Sequence, residues 1–352
     1  MDINQLIRTY KQESENALSE KTYLTMKRNF ERIEMIFDKT TQEIELKELY
    51  NVEEIVAKID KNYKLASKIQ TILGIKKIIA SFENTPQQFS IFIKWTDELK
   101  KNVNQRNEKI GNNEMTPNEE KNWIEYEELR EKFIENINET VLNPQYIVDN
   151  LMITKAPKLY LELKKKLLLA FYILIPPARI ENYQNLLVRH SKNLKKKSSI
   201  SLNKNHNYLT ILKNGNYELI FNKYKTSKML GKVIKIIPKT SELGQLVKHF
   251  LFIRKRVVLH NDGFLFSCVE SSKKAMTPAN FTSFIKKSSN LIFGKELSVN
   301  LFRHIFISYI SKKSLSINDK KEIALFMGQT YNPTQQEQYR KIKNKDKIIF
   351  FQ

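Results

Sequence analysis

Cysteine and long apolar runs are scarce in this sequence. The single cysteine, Cys268, excludes an internal disulfide and a zinc site built from several cysteines. No run of about 18 apolar residues, the length of a membrane helix, occurs. The first residues, MDINQLIRTYKQESE, lack the apolar core of a signal peptide. We therefore expect an intracellular protein, in the cytoplasm or nucleus of a host cell, that is not secreted and has no membrane partner.

Acidic residues are also few. The chain has 60 Lys and Arg against 38 Asp and Glu, a net charge of +22. Between Asn185 and Thr240 the one acidic residue is Glu218. Such an excess predicts a polyanionic partner, and we expect double-stranded DNA, because neutralised phosphates release counterions and reward distributed Lys and Arg.

Clustered metal ligands are missing as well. A two-metal nuclease would need grouped carboxylates, which the C-terminal part does not offer. Four histidines have no ligand-like spacing: His190, His206, His249 and His260. The sequence therefore predicts no metal site and no cofactor.

Helical patterns fill the N-terminal third. Apolar residues recur every three or four positions in 19–37, 52–59, 65–82 and 89–99, which predicts a small all-helical domain. The stretch 101–121 is almost without apolar residues and is typical of a linker. We predict a helical DNA-binding domain over 1–105, a linker over 106–117 and a second domain over 118–352.

A basic hairpin lies in the second domain. YLTIL, the turn residues Asn214-Gly215 and YELIFNKY predict two antiparallel strands, and KVIKII predicts a third. The fold class is thus mainly α with a small three-stranded antiparallel β-sheet. The second turn is rich in lysine. Lys225 is the predicted proton donor to a leaving oxygen, with Lys223 and Lys228 as alternatives. Lys223, Lys228 and Lys232 are predicted to contact DNA.

Two arginines and a tyrosine lie on or next to predicted helices and are candidate functional residues. Arg179 directly follows a buried helix stopped by Pro176 and Pro177. The simpler interpretations of Arg179 are a helix cap or a salt bridge to Glu181. Near the C-terminus, Ser298 is placed to cap a helix that carries Asn300, Arg303 and His304 on one side. A second helix ends at Gly328, and a polar turn then leads to Tyr339.

The order and spacing of five features resemble those of the tyrosine recombinases, the phage-type integrases, and especially the divergent members found in virophages and large DNA viruses. The features are Arg179, Lys225, the helix from Asn300 to His304, Met327-Gly328-Gln329 and Tyr339. The resemblance covers roughly 118–345. It implies a two-domain DNA clamp made of a helical core-binding domain and a catalytic domain. It also implies DNA integration or recombination without metal, by a homotetramer assembled on DNA.

The resemblance also assigns roles. Arg179 and Arg303 match the two arginines that clamp the scissile phosphate, Lys225 matches the general acid, and Tyr339 matches the nucleophile that forms a 3′-phosphotyrosine. His304 matches the histidine of the frequent Arg-His pair and is a further predicted DNA contact. The apolar tail 347–351 is predicted to dock on a neighbouring protomer or on its own domain.

Two positions depart from the family pattern. Asn300 stands where the family usually has histidine, and Gln329 stands where histidine or tryptophan usually follows the glycine. Either amide donates a hydrogen bond to a phosphate oxygen, but neither accepts the tyrosine proton, so slower chemistry is expected. Two alternatives stay open: a type IB topoisomerase, which relaxes supercoils at many sites, and a non-catalytic DNA-binding protein derived from a recombinase.

Overall fold

The computed structural model describes residues 20–82, 85–111, 114–151, 155–190, 203–257, 263–267, 274–331 and 340–341. The chain separates into two compact units, Met1–Asn112 and Asn113–Gln352. Across the described ranges the fold is mainly helical, as predicted, with one small open sheet. No helix in these ranges is both long enough and apolar enough to cross a membrane.

The first unit is an all-helical core, as the apolar spacing predicts. Its buried side chains include Phe30, Ile33 and Trp95, and the Trp95 indole donates a hydrogen bond of 3.1 Å to the carbonyl of Leu49. Gly74 lets two helices approach closely, because a Cβ there would lie 2.8 Å from Ile33 Cδ1. The helices are α1 Glu20–Phe37, α2 Val52–Asn62, α3 Leu65–Ile79 and α4 Pro86–Gly111, with a 3-10 turn at Leu46–Tyr50.

Helices occupy much of the predicted linker 106–117, within which the boundary between the two units also falls. Helix α4 continues to Gly111, and Thr116 caps a further short helix, α5 (Pro117–Asn122), by accepting a hydrogen bond from the backbone of Glu119 at 3.2 Å. The scarcity of apolar residues in 101–121 indicated an exposed surface, not an irregular backbone. Lys, Arg, Gln and Glu all favour helix while facing water, so a polar composition is compatible with a helical backbone.

The second unit is built around one buried helix, α8. Its side chains are inaccessible to solvent along most of its length, and the ring of Tyr160 stacks on Phe250 of α11 with centroids 5.3 Å apart. The helices are α6 Tyr126–Glu139, α7 Pro144–Asp149, α8 Ala156–Ile173, α9 Ile180–Gln184, α10 Ser227–Leu230, α11 Glu242–Val257, α12 Pro278–Phe293, α13 Val299–Ser311 and α14 Ile317–Phe326.

The sheet has four strands and is mixed, which corrects the predicted three-stranded antiparallel sheet. The strands are β1 Leu186–His190, β2 Asn207–Ile211, β3 Tyr217–Phe221 and β4 Val233–Ile237, in the order β1-β2-β3-β4. Strands β2, β3 and β4 form the predicted antiparallel meander, and Gly215 has φ +85° in the predicted turn. Strand β1 runs parallel to β2. A parallel neighbour has no local turn signature, so the hairpin signal did not reveal it.

Two further features lie near the sheet, and the second corrects the short buried strand that the apolar run FLFS (264–267) predicts. The second turn of the meander contains the short helix α10. The segment FLFS is buried but forms only isolated bridges, Leu187 with Phe264 and Ser267 with Ala275, so it is not a strand of the sheet. Its apolar residues pack in the core without pairing along a strand.

Candidate active site

Helix α13 carries Arg303 into the interior of the second unit. Ser298 caps this helix as predicted, since its hydroxyl accepts a hydrogen bond from the backbone of Leu301 at 3.1 Å. The Arg303 side chain is only 1% exposed. Its Nη1 donates to the carbonyls of Pro177, at 3.1 Å, and of Met327, at 2.9 Å. One guanidinium therefore joins the turn after α8 to the turn after α14.

Arg179 reaches the same place from the turn after α8. Its Nε donates a hydrogen bond of 3.3 Å to the carbonyl of Gly328, and the side chain is half-buried. This hydrogen bond is neither a cap for the carbonyls of α8 nor an ion pair with Glu181. Within the described residues the terminal nitrogens Nη1 and Nη2 make no hydrogen bond. They form a two-pronged donor edge of the kind that fits two oxygens of one phosphate.

Gly328 closes helix α14 and collects contacts from distant segments. Its φ of +69° is in the left-handed region, and the backbone N–H donates to the carbonyl of Leu325 at 3.0 Å. Its carbonyl accepts hydrogen bonds from Arg179 and from the hydroxyl of Thr226, the latter at 2.9 Å. A Cβ at this position would lie 3.4 Å from the ring of Tyr224. Glycine suits this backbone angle.

The loop between β3 and β4 contributes Thr226 and, next to it, the predicted general acid Lys225. Thr226 is half-buried, whereas Lys225 is exposed. The other predicted DNA-contacting lysines of this loop are also exposed: Lys223, Lys228 and Lys232. The loop is closed on itself by the Tyr224 hydroxyl, which donates to the carbonyl of Gly231 at 2.9 Å. Thr226 thereby places this basic loop against the Gly328 turn.

The two departures from the family pattern occupy different environments. Gln329 is 9% exposed, and its side-chain Nε2 is buried without a hydrogen-bond partner among the described residues. Asn300 is exposed on α13 and makes no hydrogen bond to the Gly328 turn within those ranges. The structure therefore brings Arg179, Arg303 and Gln329 together. Asn300 lies on α13, the helix of Arg303, but on its exposed surface.

His304, a predicted DNA contact, is engaged with a carboxylate. Its Nε2 lies 3.8 Å from Glu119, and the Lys341 ammonium lies 3.5 Å from the same carboxylate. Burial favours a higher pKa for Glu119, but the backbone N–H of Thr116 and the charge of Lys341 outweigh it and lower this pKa below its ordinary value. Glu119 is consequently an anion that holds His304 and Lys341 beside α5.

Tyr339, the predicted nucleophile, lies outside the described residues, as does the tail 347–351. Two residues beyond Tyr339, the backbone N–H of Lys341 donates a hydrogen bond of 2.9 Å to the hydroxyl of Ser308. Ser308 is on α13, the helix that carries Arg303. The chain that follows the predicted nucleophile is thus attached to the helix at the centre of the candidate site.

Two tyrosines in the core behind Arg303 are unsuited to act as nucleophiles. Burial raises the pKa of Tyr172 and of Tyr183 well above the ordinary value for a phenol. The Tyr172 ring lies 5.6 Å from Phe302, and the Tyr183 hydroxyl donates to the carbonyl of Phe171 at 3.2 Å. Both rings serve as packing that supports the helix of Arg303.

Sequence reasoning missed Thr226, Tyr224 and the carbonyls that Arg303 binds. Thr226 lies next to Lys225, so a hydroxyl beside the predicted acid was the available signal. The carbonyls of Pro177 and Met327 have no side-chain signature at all. Within the described residues no group of three or more His, Cys, Asp or Glu side chains is arranged to hold a metal ion.

Comparison with protein families, with curated proteins and with solved structures gives no match to this chain.

Proposed function

We propose that this chain is a tyrosine-type site-specific DNA recombinase, an integrase that cuts and rejoins DNA through a 3′-phosphotyrosine. The observation that carries the proposal is the convergence on the Met327-Gly328 turn. Arg303 binds the carbonyl of Met327, and Arg179 and Thr226 both bind the carbonyl of Gly328. Segments up to 149 residues apart, each singled out by the family resemblance, meet at one point.

The proposed reaction begins with a phosphodiester held by arginine. The Nη1 and Nη2 edge of Arg179 binds its two non-bridging oxygens and stabilises the charge that grows on them. The Tyr339 hydroxyl gives its proton to water as its oxygen attacks phosphorus, the bond to the 5′-oxygen breaks, and the Lys225 ammonium gives a proton to that 5′-oxygen. The phosphotyrosine conserves the bond energy until the 5′-hydroxyl of another strand attacks it and releases Tyr339.

Arg303 has a more structural part in this proposal than the resemblance alone implies. A guanidinium has five N–H donors, and the two on Nη1 are directed to backbone carbonyls. We propose that Arg303 holds the two turns that position Arg179 and Gln329, in addition to the phosphate contact that the resemblance implies. An arginine is suited to both tasks because its donors are fixed in a plane.

Gln329 and Asn300 complete the proposed phosphate site by donating hydrogen bonds. The buried Nε2 of Gln329 is a donor for which the described residues supply no acceptor, and a phosphate oxygen would be one. Neither amide accepts a proton from Tyr339. We therefore expect cleavage to be slower than it would be with a histidine at either position.

The proposed partner is double-stranded DNA, bound by both units as a basic clamp. The net charge of +22 and the exposed lysines of the β3–β4 loop support this partner. Strand exchange between two duplexes implies a homotetramer assembled on DNA. Neither a metal nor a nucleotide cofactor has a step in the proposed reaction.

Two alternative functions share the same surface. A type IB topoisomerase would use the arginines, lysine and tyrosine for the same cleavage but would act at many sites. A non-catalytic DNA-binding protein would keep the charge and lose the chemistry. The amides at positions 300 and 329 are the residues that favour this second alternative.

Covalent capture distinguishes the three functions. The protein is incubated with nicked genomic fragments, denatured, and the DNA that stays attached is sequenced. A recombinase gives adducts at one or two short sequences, and a topoisomerase gives adducts scattered along the DNA. Tight, salt-sensitive binding without any adduct would overturn the enzymatic proposal.

A further inference from the structure

We infer that Thr226 is a positioning residue, which holds the loop that carries Lys225 against the arginine-bound turn before DNA arrives. This inference rests on the proposed function for its catalytic consequence. The contact on which it depends belongs to the structure: the Thr226 hydroxyl donates to the carbonyl of Gly328 at 2.9 Å.

The Gly328 carbonyl is a fixed anchor point. A carbonyl oxygen has two lone pairs, and the Gly328 oxygen accepts from both Arg179 Nε and Thr226 Oγ1. The preceding carbonyl, that of Met327, is held by buried Arg303. Backbone hydrogen bonds from Gly328 and Gln329 to Leu325 and Ala324 fix the turn to α14. Thr226 is thus attached to a part of the molecule that is held from three sides.

The rest of the loop is tied to Thr226. The backbone carbonyl of Thr226 accepts hydrogen bonds from the backbone N–H groups of Met229 and Leu230, at 3.0 and 2.9 Å. The Tyr224 ring lies beside the Gly328 turn, 3.4 Å from where a Cβ on Gly328 would be, and its hydroxyl donates to the carbonyl of Gly231. Lys225 lies between Tyr224 and Thr226, two residues that are both docked on the Gly328 turn. Its backbone is held on both sides while its side chain stays exposed.

Thr226 adds orientation and not charge. An exposed lysine on a free loop samples many positions, and a proton donor is effective only within hydrogen-bond reach of the leaving oxygen. The loop docks on the turn that also binds Arg179. This contact fixes the position of the acid, Lys225, relative to the phosphate-binding Arg179. The Thr226 hydroxyl is directed to the Gly328 carbonyl, so its proposed contribution passes through Lys225.

The first test is the loop itself and needs no activity. We would measure amide hydrogen exchange of residues 223–231 in the full chain, comparing Thr226→Val, Thr226→Ser and Ser227→Ala with the unchanged protein. Valine keeps the shape and removes the hydroxyl. We expect faster exchange at Met229 and Leu230 in Thr226→Val, and near-normal exchange in the serine variant and in the neighbouring Ser227→Ala control. Unchanged exchange in Thr226→Val would overturn the inference, whatever the protein does to DNA.

The second test separates a proton-donor defect from general damage. Single-turnover cleavage is measured on a nicked duplex carrying a captured site, with either oxygen or sulfur as the 5′ bridging atom. A thiol has a pKa of about 8.5, so a thiolate leaves without a proton from lysine. We expect Thr226→Val to cut the oxygen substrate about tenfold more slowly, the scale of one net hydrogen bond, and to cut the sulfur substrate at the unchanged rate. Lys225→Ala should show the same rescue from a larger loss, about 10²–10⁴.

The outcomes distinguish the inference from the proposed function. Equal losses on both substrates would mean that Thr226 does not act through Lys225. Full activity of Thr226→Val on the oxygen substrate, with normal cleavage by the unchanged protein, would overturn the positioning role alone. If the unchanged protein captures no DNA, the proposed function and the catalytic role of Thr226 are both overturned, and only the docking contact remains, tested by exchange.

Discussion

The candidate site has a buried half and an exposed half that obey different constraints. We define the buried half as Arg303, Gln329 and the turns 177–178 and 327–328, and the exposed half as Asn300 and the loop lysines Lys223, Lys225 and Lys228. In the buried half every change alters packing or leaves a carbonyl without a donor. In the exposed half a side chain is surrounded by water, so a substitution changes its chemical role and has little effect on stability.

The comparison shows which property each half controls. Substitutions in the buried half should lower stability and cleavage together, because Arg303 is part of both the core and the site. Substitutions in the exposed half should change cleavage at constant stability. Arg179 and Thr226 connect the halves through the single carbonyl of Gly328.

The largest effect is expected from Arg303→Met. Methionine fills part of the space but leaves the carbonyls of Pro177 and Met327 without their donor. Each of the two unsatisfied buried carbonyls costs about 1–3 kcal/mol, so we expect about 2–6 kcal/mol of destabilisation, measured by denaturant unfolding. Arg256→Met is the control: Arg256 is exposed, so we expect a change within about 0.5 kcal/mol. Equal stability of the two variants would show that Arg303 does not hold the turns.

Gly328→Ala should have the next largest effect. The left-handed backbone costs a residue with a Cβ about 1–2 kcal/mol. Gly294→Ala is a matched control, because Gly294 has φ +65° and open space where its Cβ would lie, whereas the Cβ at Gly328 would contact Tyr224 at 3.4 Å. Both variants should lose similar stability, and only Gly328→Ala should lose cleavage. Normal cleavage by Gly328→Ala would argue against the convergence at this turn.

Lys225→Ala should leave the free energy of unfolding within about 0.5 kcal/mol of the original value, since the side chain is exposed. Cleavage should slow by about 10²–10⁴ because a positioned proton donor is lost. Lys223→Ala and Lys228→Ala, on the same loop, are the controls and should retain cleavage while weakening DNA binding. If one of these controls is the slow variant, that lysine is the general acid.

Asn300→His should give the smallest structural change and a gain in rate. Asn300 is exposed, so thermal unfolding should be unaffected. An imidazole there supplies a group that accepts the tyrosine proton, and we expect faster cleavage, by less than the full 10²–10⁴ of an optimally placed group. Asn300→Ala should be slower than the original protein. No rate change in either variant would remove Asn300 from the site.

Local hydrogen-bonding patterns were readable from the sequence. The Ser298 cap, the turn at Gly215 and the end of α14 at Gly328 are all as predicted, because each depends on residues within a few positions. Strand β1 was missed because its parallel partner is about 20 residues away and no turn type announces it.

The site was readable only in part for a related physical reason. The sequence pointed to Arg179, Arg303 and Gln329, which the structure brings together. It did not predict that Arg303 is buried against two carbonyls, since backbone acceptors look alike in every sequence. The helical backbone of 101–111 was likewise hidden, because a polar helix and a polar linker have the same composition.

The central claim is that Tyr339 forms a covalent bond to DNA, and peptide mapping of the trapped adduct tests it most directly. The protein is incubated with a nicked duplex, digested, and the nucleotide-bearing peptide is identified by mass. We predict a phosphodiester on Tyr339, and no adduct from Tyr339→Phe at unchanged DNA affinity. An adduct on another residue, such as Tyr331, or tight DNA binding with no adduct at all, would contradict the claim.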